Sequence, residues 1–193
     1  TGTEGEVFDN ITLRDITEDE IKAFDNIRRG IDWGYAADPF CYSALHYDRK
    51  RKRIYIYYEY YKTGAKYDSI MQAIRKENIN NGMITAESAE PRSNAELRER
   101  GLRINKAKKG QGSVEHGINW LQNLEEIIID PRRCPNTARE FTGYALEKDN
   151  NDNWRDGFPD KDNHSIDTVR YALESDMAKR KAKVRSKAEL GFY

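Results

Sequence analysis

Apolar and polar positions divide the chain into an acidic opening and a densely patterned body. Residues 1–26 (TGTEGEVFDNITLRDITEDEIKAFDN) hold only short apolar stretches, such as Ile11 and Leu13, and read as a linker-like lead-in to a fragment or excised domain. From Ile27 the pattern becomes that of strands. IRRGIDWGY is a short strand ending in an Asp and a Gly-containing turn, CYSALHYD a second, and RKRIYIYYEYYKTG a third rich in Tyr and Ile, residue types that suit a pleated, half-buried surface. The basic run Arg49 to Arg53 falls between the second and third, where a hairpin loop meets solvent. Three antiparallel strands in succession are the economical reading.

Helical spacing follows. Tyr67, Ile70, Met71 and Ile74 line one face of KYDSIMQAIRKEN, and Gly82 breaks the chain before the apolar run MITA, which reads as a buried strand. Pro91 opens a helix through SNAELRERG that Gly101 stops. A basic loop, RINKAKKGQG, leads to Ser113 as N-cap of the helix VEHGINWLQNL, and EIIID supplies a fifth strand. Cys134 to Tyr144 and Asn163 to about Lys181 read as helices, separated by the polar, turn-rich ALEKDNNDNWRDGFPDKD. The order predicts an α/β fold: a central mixed sheet of about five strands, the first three antiparallel, with helices on both faces. The main domain is expected over 27–181, followed by a basic tail, 182–193.

Composition narrows the class. Hydrophobic residues are 37% and charged residues 34%, and the mean hydropathy is −0.96, so the core must be built from aromatic and branched side chains. No window approaches the roughly 20 apolar residues of a membrane helix, and no signal-peptide pattern opens the chain. A soluble, unsecreted protein is expected, with no membrane partner. Cys41 and Cys134 stand far apart with no CxxC spacing, which predicts neither a disulfide framework nor a thiolate zinc site, and a reducing compartment. Thirty-three basic and thirty-three acidic residues cancel, so affinity for nucleic acid must come from local patches.

Candidate chemistry lies at element ends. Asp32 closes the first strand, where a carboxylate either hydrogen-bonds the next turn or lines the crevice in which open α/β sheets bind ligands. Glu87 closes the MITAE run in the same fashion. His164 and Asp167 are three residues apart on a helix and share a face, a spacing equally suited to a surface hydrogen bond. Taken together the acids say more, because like charges about 4 Å apart repel by about 4 kcal/mol at an effective dielectric near 20. A divalent cation reverses that sign. Carboxylates suit Mg²⁺ or Mn²⁺, and two such ions can activate water and stabilise the leaving oxygen of a phosphodiester. His164 would bind the second ion or shuttle a proton.

Other chemistries lack their residues. His46, His116 and His164 are scattered and no HExxH occurs; GxSxG is absent; KKGQGSV lacks the order of a P-loop, so ATP hydrolysis is not assigned here. Lys106, Lys108 and Lys109, with the amides around Gly110 and Gly112, form either a phosphate-contacting loop or a solvated one. Arg49 to Arg53 and KRKAKVRSK carry the same two readings.

GIDWGYAADP, ITAESAEPRSNAELRERG, KAKKGQGSVEHGINWLQ, REFTGYALEKD and DKDNHSIDTVRYAL occur in the order and approximate spacing of the nuclease domain of tailed-bacteriophage terminase large subunits. The resemblance covers residues 5–175. It implies an RNase H-like fold, akin to Holliday-junction resolvases, and a metal-dependent endonuclease that cuts concatemeric viral double-stranded DNA during genome packaging. By motif, Asp32, Glu87 and Asp167 would be metal ligands with His164 beside them, and residues 145–157 a hairpin near the groove. Family members closest to this pattern usually carry Asp where Glu87 stands. The resemblance also implies the small terminase subunit, the portal protein and a preceding packaging ATPase domain as partners, in the host cell cytoplasm.

The leading expectation is therefore a two-metal endodeoxyribonuclease of low sequence specificity. A resolvase or ribonuclease on the same fold, or a non-catalytic module that docks DNA or portal, are the alternatives.

Overall fold

A computed structural model describes residues 4–108 and 110–177. In chain order these form β1 (Ile11–Leu13), α1 (Glu18–Ala23), β2 (Ile27–Asp32), β3 (Phe40–Asp48), β4 (Arg53–Lys62), α2 (Tyr67–Glu77), β5 (Ile84–Ala86), α3 (Pro91–Glu99), β6 (Ile104–Lys106), α4 (Ser113–Gln122), β7 (Glu126–Ile129), α5 (Pro135–Gly143) and α6 (His164–Met177). One mixed sheet runs β1-β7-β4-β3-β2-β5-β6. Its centre is the expected antiparallel trio, with Ile31 paired to Tyr42 and Leu45 to Ile56, and a bulge between Ala44 and Leu45. Parallel neighbours flank the trio: β7 beside β4, and β5 beside β2.

Alternation along the strands divides the apolar residues between two faces. Leu45, Ile54, Ile56, Ile127 and Ile129 pack beneath α4, α5 and α6 with Phe141, Val169 and Leu173. Ile31, Tyr42, Ile84 and Ala86 pack on the other side with Ile70, Met71 and Ile74 of α2 and Leu97 of α3, the residues whose helical spacing predicts that face.

The sheet has seven strands where the pattern predicts about five. β1 and β6 have three residues each, too few for alternation to register, and they form because β7 and β5 offer them parallel ladders. The stretch expected as a linker-like lead-in is accordingly folded over its described residues. Val7 and Phe8 join the core, and Ile16 is fully buried, its amide donating to Asp130 Oδ2 at 2.8 Å. Thr17 and Glu20 close a capping box on α1. Before α4, Gly112 rather than Ser113 holds the cap position, at φ 75°, and Ser113 is the first helical residue. Residues 145–157 carry an isolated antiparallel bridge, Lys148 to Trp154. The expected basic tail, and the last helical residues before it, lie outside the described residues.

One contact fixes where α6 sits. A Cβ on Gly30 would stand 2.1 Å from the Thr168 carbonyl oxygen and 3.1 Å from Ala172, so only glycine lets the backbone of α6 approach β2 this closely. Asp32 lies two residues further along β2 on the same face.

Candidate active site at the carboxyl ends of β2 and β5

β2 and β5 run parallel with Gly30 opposite Thr85 and Ile31 opposite Ala86, and the Glu87 amide extends the ladder to the Ile31 carbonyl at 2.9 Å. Asp32 and Glu87 therefore leave the same ends of strands that neighbour each other at about 4.8 Å. Ile31 and Ala86 face the α2–α3 core, so the two acids face α6. Asp32 is 7% exposed, and its Oδ1 accepts the Gly34 amide at 3.1 Å. Glu87 Oε2 accepts the Trp33 amide at 3.3 Å. Asn94, in the first turns of α3, accepts from Trp33 Nε1 at 2.7 Å and donates to the Glu87 carbonyl at 2.8 Å. That buried amide ties both strand ends together.

The first turn of α6 supplies the rest. His164 Nδ1 lies 3.6 Å from Asp32 Oδ2, and Nε2 lies 3.7 Å from Asp38 Oδ1. The Asp32 carboxylate beside it raises the imidazole pKa, helped by Glu140 and Asp38 and opposed by burial. The carboxyl of Asp167 is raised, chiefly by burial and further by Asp32 and Asp160, while Arg170 pulls the other way. Arg170 holds it through Nη2 at 2.8 Å and Nε at 3.2 Å. Beside it the Tyr171 phenol is pushed up by burial and then by the fields of Asp167, Glu87 and Asp32 together.

Those acids are near one another without being gathered. Among the described residues, no three His, Cys, Asp or Glu side chains form a group ready to hold a metal ion. Each carboxylate has another partner: Asp167 has Arg170, Glu87 the Trp33 amide, and Asp32 the Gly34 amide with His164 beside it. In type and placement the donors fit a hard divalent ion, being carboxylates and one imidazole at one end of the sheet. Both Arg170 contacts fall on Oδ1 of Asp167, which leaves Oδ2 to face an ion.

A cavity of about 710 Å³ opens beside the acids, lined by Glu87, Asp167, Arg170, Tyr171, Lys108 and Gly110 among others. A second, of about 430 Å³, reaches Asp167 from the side of Gly112, Phe158 and Asp160. Of the loop residues singled out in the sequence, Lys108 and Gly110 line the first and Gly112 the second; the Lys108 amide donates to Glu174 at 2.7 Å. Lys106 pairs with Ala86 at the sheet edge and lines neither. Lys109 lies outside the described residues.

Arg170, Tyr171, Asp38 and Asn94 escape the sequence reading. The first two had a usable signal: they stand three and four residues after Asp167 on its helix, the spacing that joins His164 to Asp167. Asp38 and Asn94 had none, since their contacts cross between elements.

The sequence matches the family described as "Terminase RNAseH like domain" over residues 32–175. It is 43% identical over 176 residues to the terminase large subunit of Bacillus phage SPP1, covering 89% of this chain and 42% of that protein. It is 29% identical over 147 residues to the PBSX phage terminase large subunit of Bacillus subtilis strain 168, covering 76% and 34%. The chain thus spans well under half the length of these relatives. The crystal structure of the SPP1 large-terminase nuclease domain with bound Mn superposes with a TM-score of 0.83 at 43% identity, covering 88% of this chain and 98% of that one.

Proposed function

The chain belongs to the terminase RNase H-like domain family and has the RNase H-like fold, and from that premise we propose that it is a divalent-metal-dependent endonuclease that cuts concatemeric viral double-stranded DNA during genome packaging. The observation that carries the proposal is geometric: parallel pairing of β2 with β5 sets Asp32 and Glu87 at adjacent strand ends, and the close approach of α6 to Gly30 brings the helix that carries Asp167 over them, at the strand ends where open α/β sheets bind ligands. The Mn bound by the SPP1 nuclease domain supports the same ion chemistry.

Asp32, Glu87 and Asp167 hold Mg²⁺ or Mn²⁺ in this reading, as a pair of ions, with His164 as a further ligand or proton carrier. When bound, the ions neutralise the scissile phosphate and its leaving oxygen. The protein's part is orientation. Parallel pairing of β2 with β5 spaces Asp32 from Glu87, Gly30 lets α6 close over them, and Asn94 locks the Glu87 backbone. His164 is held between Asp32 and Asp38, where it exchanges a proton with a reacting group. Arg170, 7% exposed, balances the charge of half-buried Asp167 through Oδ1.

Lys106, Lys108, Lys109 and the amides near Gly110 and Gly112 contact DNA phosphates, which position the duplex and read little sequence. Cutting is accordingly of low specificity. The small terminase subunit, the portal protein and a packaging ATPase domain are the proposed partners, in the host cytoplasm; no described helix is long and apolar enough to cross a membrane.

Supercoiled plasmid incubated with Mg²⁺, Mn²⁺ or EDTA tests the reading. Nicking and linearisation with either ion and none in EDTA are expected. Plasmid left intact after long incubation with excess Mn²⁺ would favour a docking module, and preference for branched DNA or RNA–DNA hybrid would favour a resolvase or ribonuclease.

A further inference from the structure

The helix that carries His164 and Asp167 is capped from a neighbouring helix. The Ser165 amide, in the first turn of α6, donates to both oxygens of Glu140 on α5, at 2.8 and 3.3 Å. Glu140 is 2% exposed. Burying a carboxylate is costly unless hydrogen bonds repay it, and an amide at a helix N-terminus is a favourable partner for one. Burial raises its pKa, while the Ser165 amide, His164, the Tyr61 hydroxyl and Arg139 hold it down. Tyr61 also meets the His164 ring edge-on, with centroids 6.3 Å apart.

Glu140 is itself anchored. The first turn of α5 is held by β4, where Glu59 Oε1 accepts the Asn136 amide at 2.7 Å. The central sheet thus fixes α5 through one carboxylate, and α5 fixes the start of α6 through another. Apolar packing alone leaves a helix some freedom to slide or rotate; a hydrogen-bonded cap sets its first residues, which here face Asp32.

We propose that Glu140 is a positioning residue for the metal-nuclease site: through the Ser165 amide it sets the first turn of α6, so that His164 meets Asp32 and Asp167 faces the ends of β2 and β5. The proposal rests on the nuclease reading for its catalytic consequence but not for its structural one. The test compares Glu140→Ala and Glu140→Gln with the parent by three readouts: hydrogen exchange of the amides of residues 164–168, Mn²⁺ titration by calorimetry, and kcat and KM on plasmid DNA. Glu140→Ala is expected to speed exchange in that turn selectively, to weaken Mn²⁺ binding by about 10-fold or more, and to lower kcat by about 10- to 100-fold with KM little changed. Glu140→Gln keeps an acceptor for the Ser165 amide and should recover most of each loss. Unchanged exchange and Mn²⁺ affinity in Glu140→Ala would overturn the proposal, as would a Gln variant no better than Ala. If Glu140→Ala fails to fold, the Gln variant decides alone: parent-like exchange, Mn²⁺ affinity and kcat support the proposal, and selective loss of metal affinity with intact exchange overturns it. A parent chain that cuts no DNA would sink the nuclease reading only, since exchange in the α6 turn is read without cleavage.

Discussion

Asp167 shows how much a single side chain here depends on its surroundings. In the sequence it is an acid one turn after a His; in the structure it is largely buried, held by Arg170 and raised by burial. Replacing it with Asn removes a charge that burial disfavours but also the counter-ion of buried Arg170, so Asp167→Asn should fold with reduced stability by urea unfolding while plasmid cleavage falls by about 100-fold. Asp32→Asn should behave alike. Cleavage retained in both, by gel assay with Mn²⁺, would remove them from the chemistry. Glu87 stands where the resemblance read from the sequence implies an Asp. Because its backbone is fixed by the Ile31 carbonyl and by Asn94, shortening the side chain by one methylene leaves the approach direction intact, and Glu87→Asp should retain activity within about 10-fold of the parent. A dead Glu87→Asp enzyme of normal stability would mean that the site geometry is tuned to the longer side chain.

At the scale of elements, the seating of α6 on β2 governs the site. Gly30→Ala would drive a methyl group into the Thr168 backbone, and overpacking of this kind typically costs about 1–3 kcal/mol. Denaturant unfolding should show that loss together with reduced cleavage, because α6 must lift and carry His164 and Asp167 away from Asp32. Parent-like stability and activity in Gly30→Ala would show that α6 does not need so close an approach. Legibility differs sharply among elements. The long strands β3 and β4 and the helix α2 were plain in the pattern, because a run of nine to eleven residues displays its period. β1 and β6 were not: they are as short as β5, which only the run MITA after Gly82 marked, and the acidic character of residues 1–26 concealed Val7, Phe8 and Ile16, which the core buries.

For the whole molecule, zero net charge supplies no long-range pull on DNA, so affinity must rest on the few cations near the cavity or on a partner. The buried acids make a separate prediction about pH. Burial pushes the Glu59 carboxyl up from 4.5 to about 7, and raises Glu140 as well. A carboxyl whose folded pKa exceeds its unfolded one favours the fold most fully below the unfolded value, and that advantage is lost as pH rises through the folded value. Stability should therefore fall between about pH 4.5 and 7 from these groups, by up to about 3 kcal/mol for Glu59. Urea unfolding of the parent and of Glu59→Gln at pH 5 and 7.5 measures this: the parent should lose the larger part, and parallel losses in the two would discount Glu59.

The sequence by itself determined the class of fold, the antiparallel trio at its centre and the candidate acids, because periodicity and element ends are local properties of the chain. It also carried the family likeness, through motifs kept in order along almost its whole length. The tertiary structure decided which side chains those acids meet. Arg170 on Asp167, Asn94 between Trp33 and Glu87, Asp38 on His164 and Glu140 beneath the start of α6 depend on how helices lie across a sheet. That arrangement is set by long-range packing, down to the missing side chain at Gly30, and no local pattern encodes it.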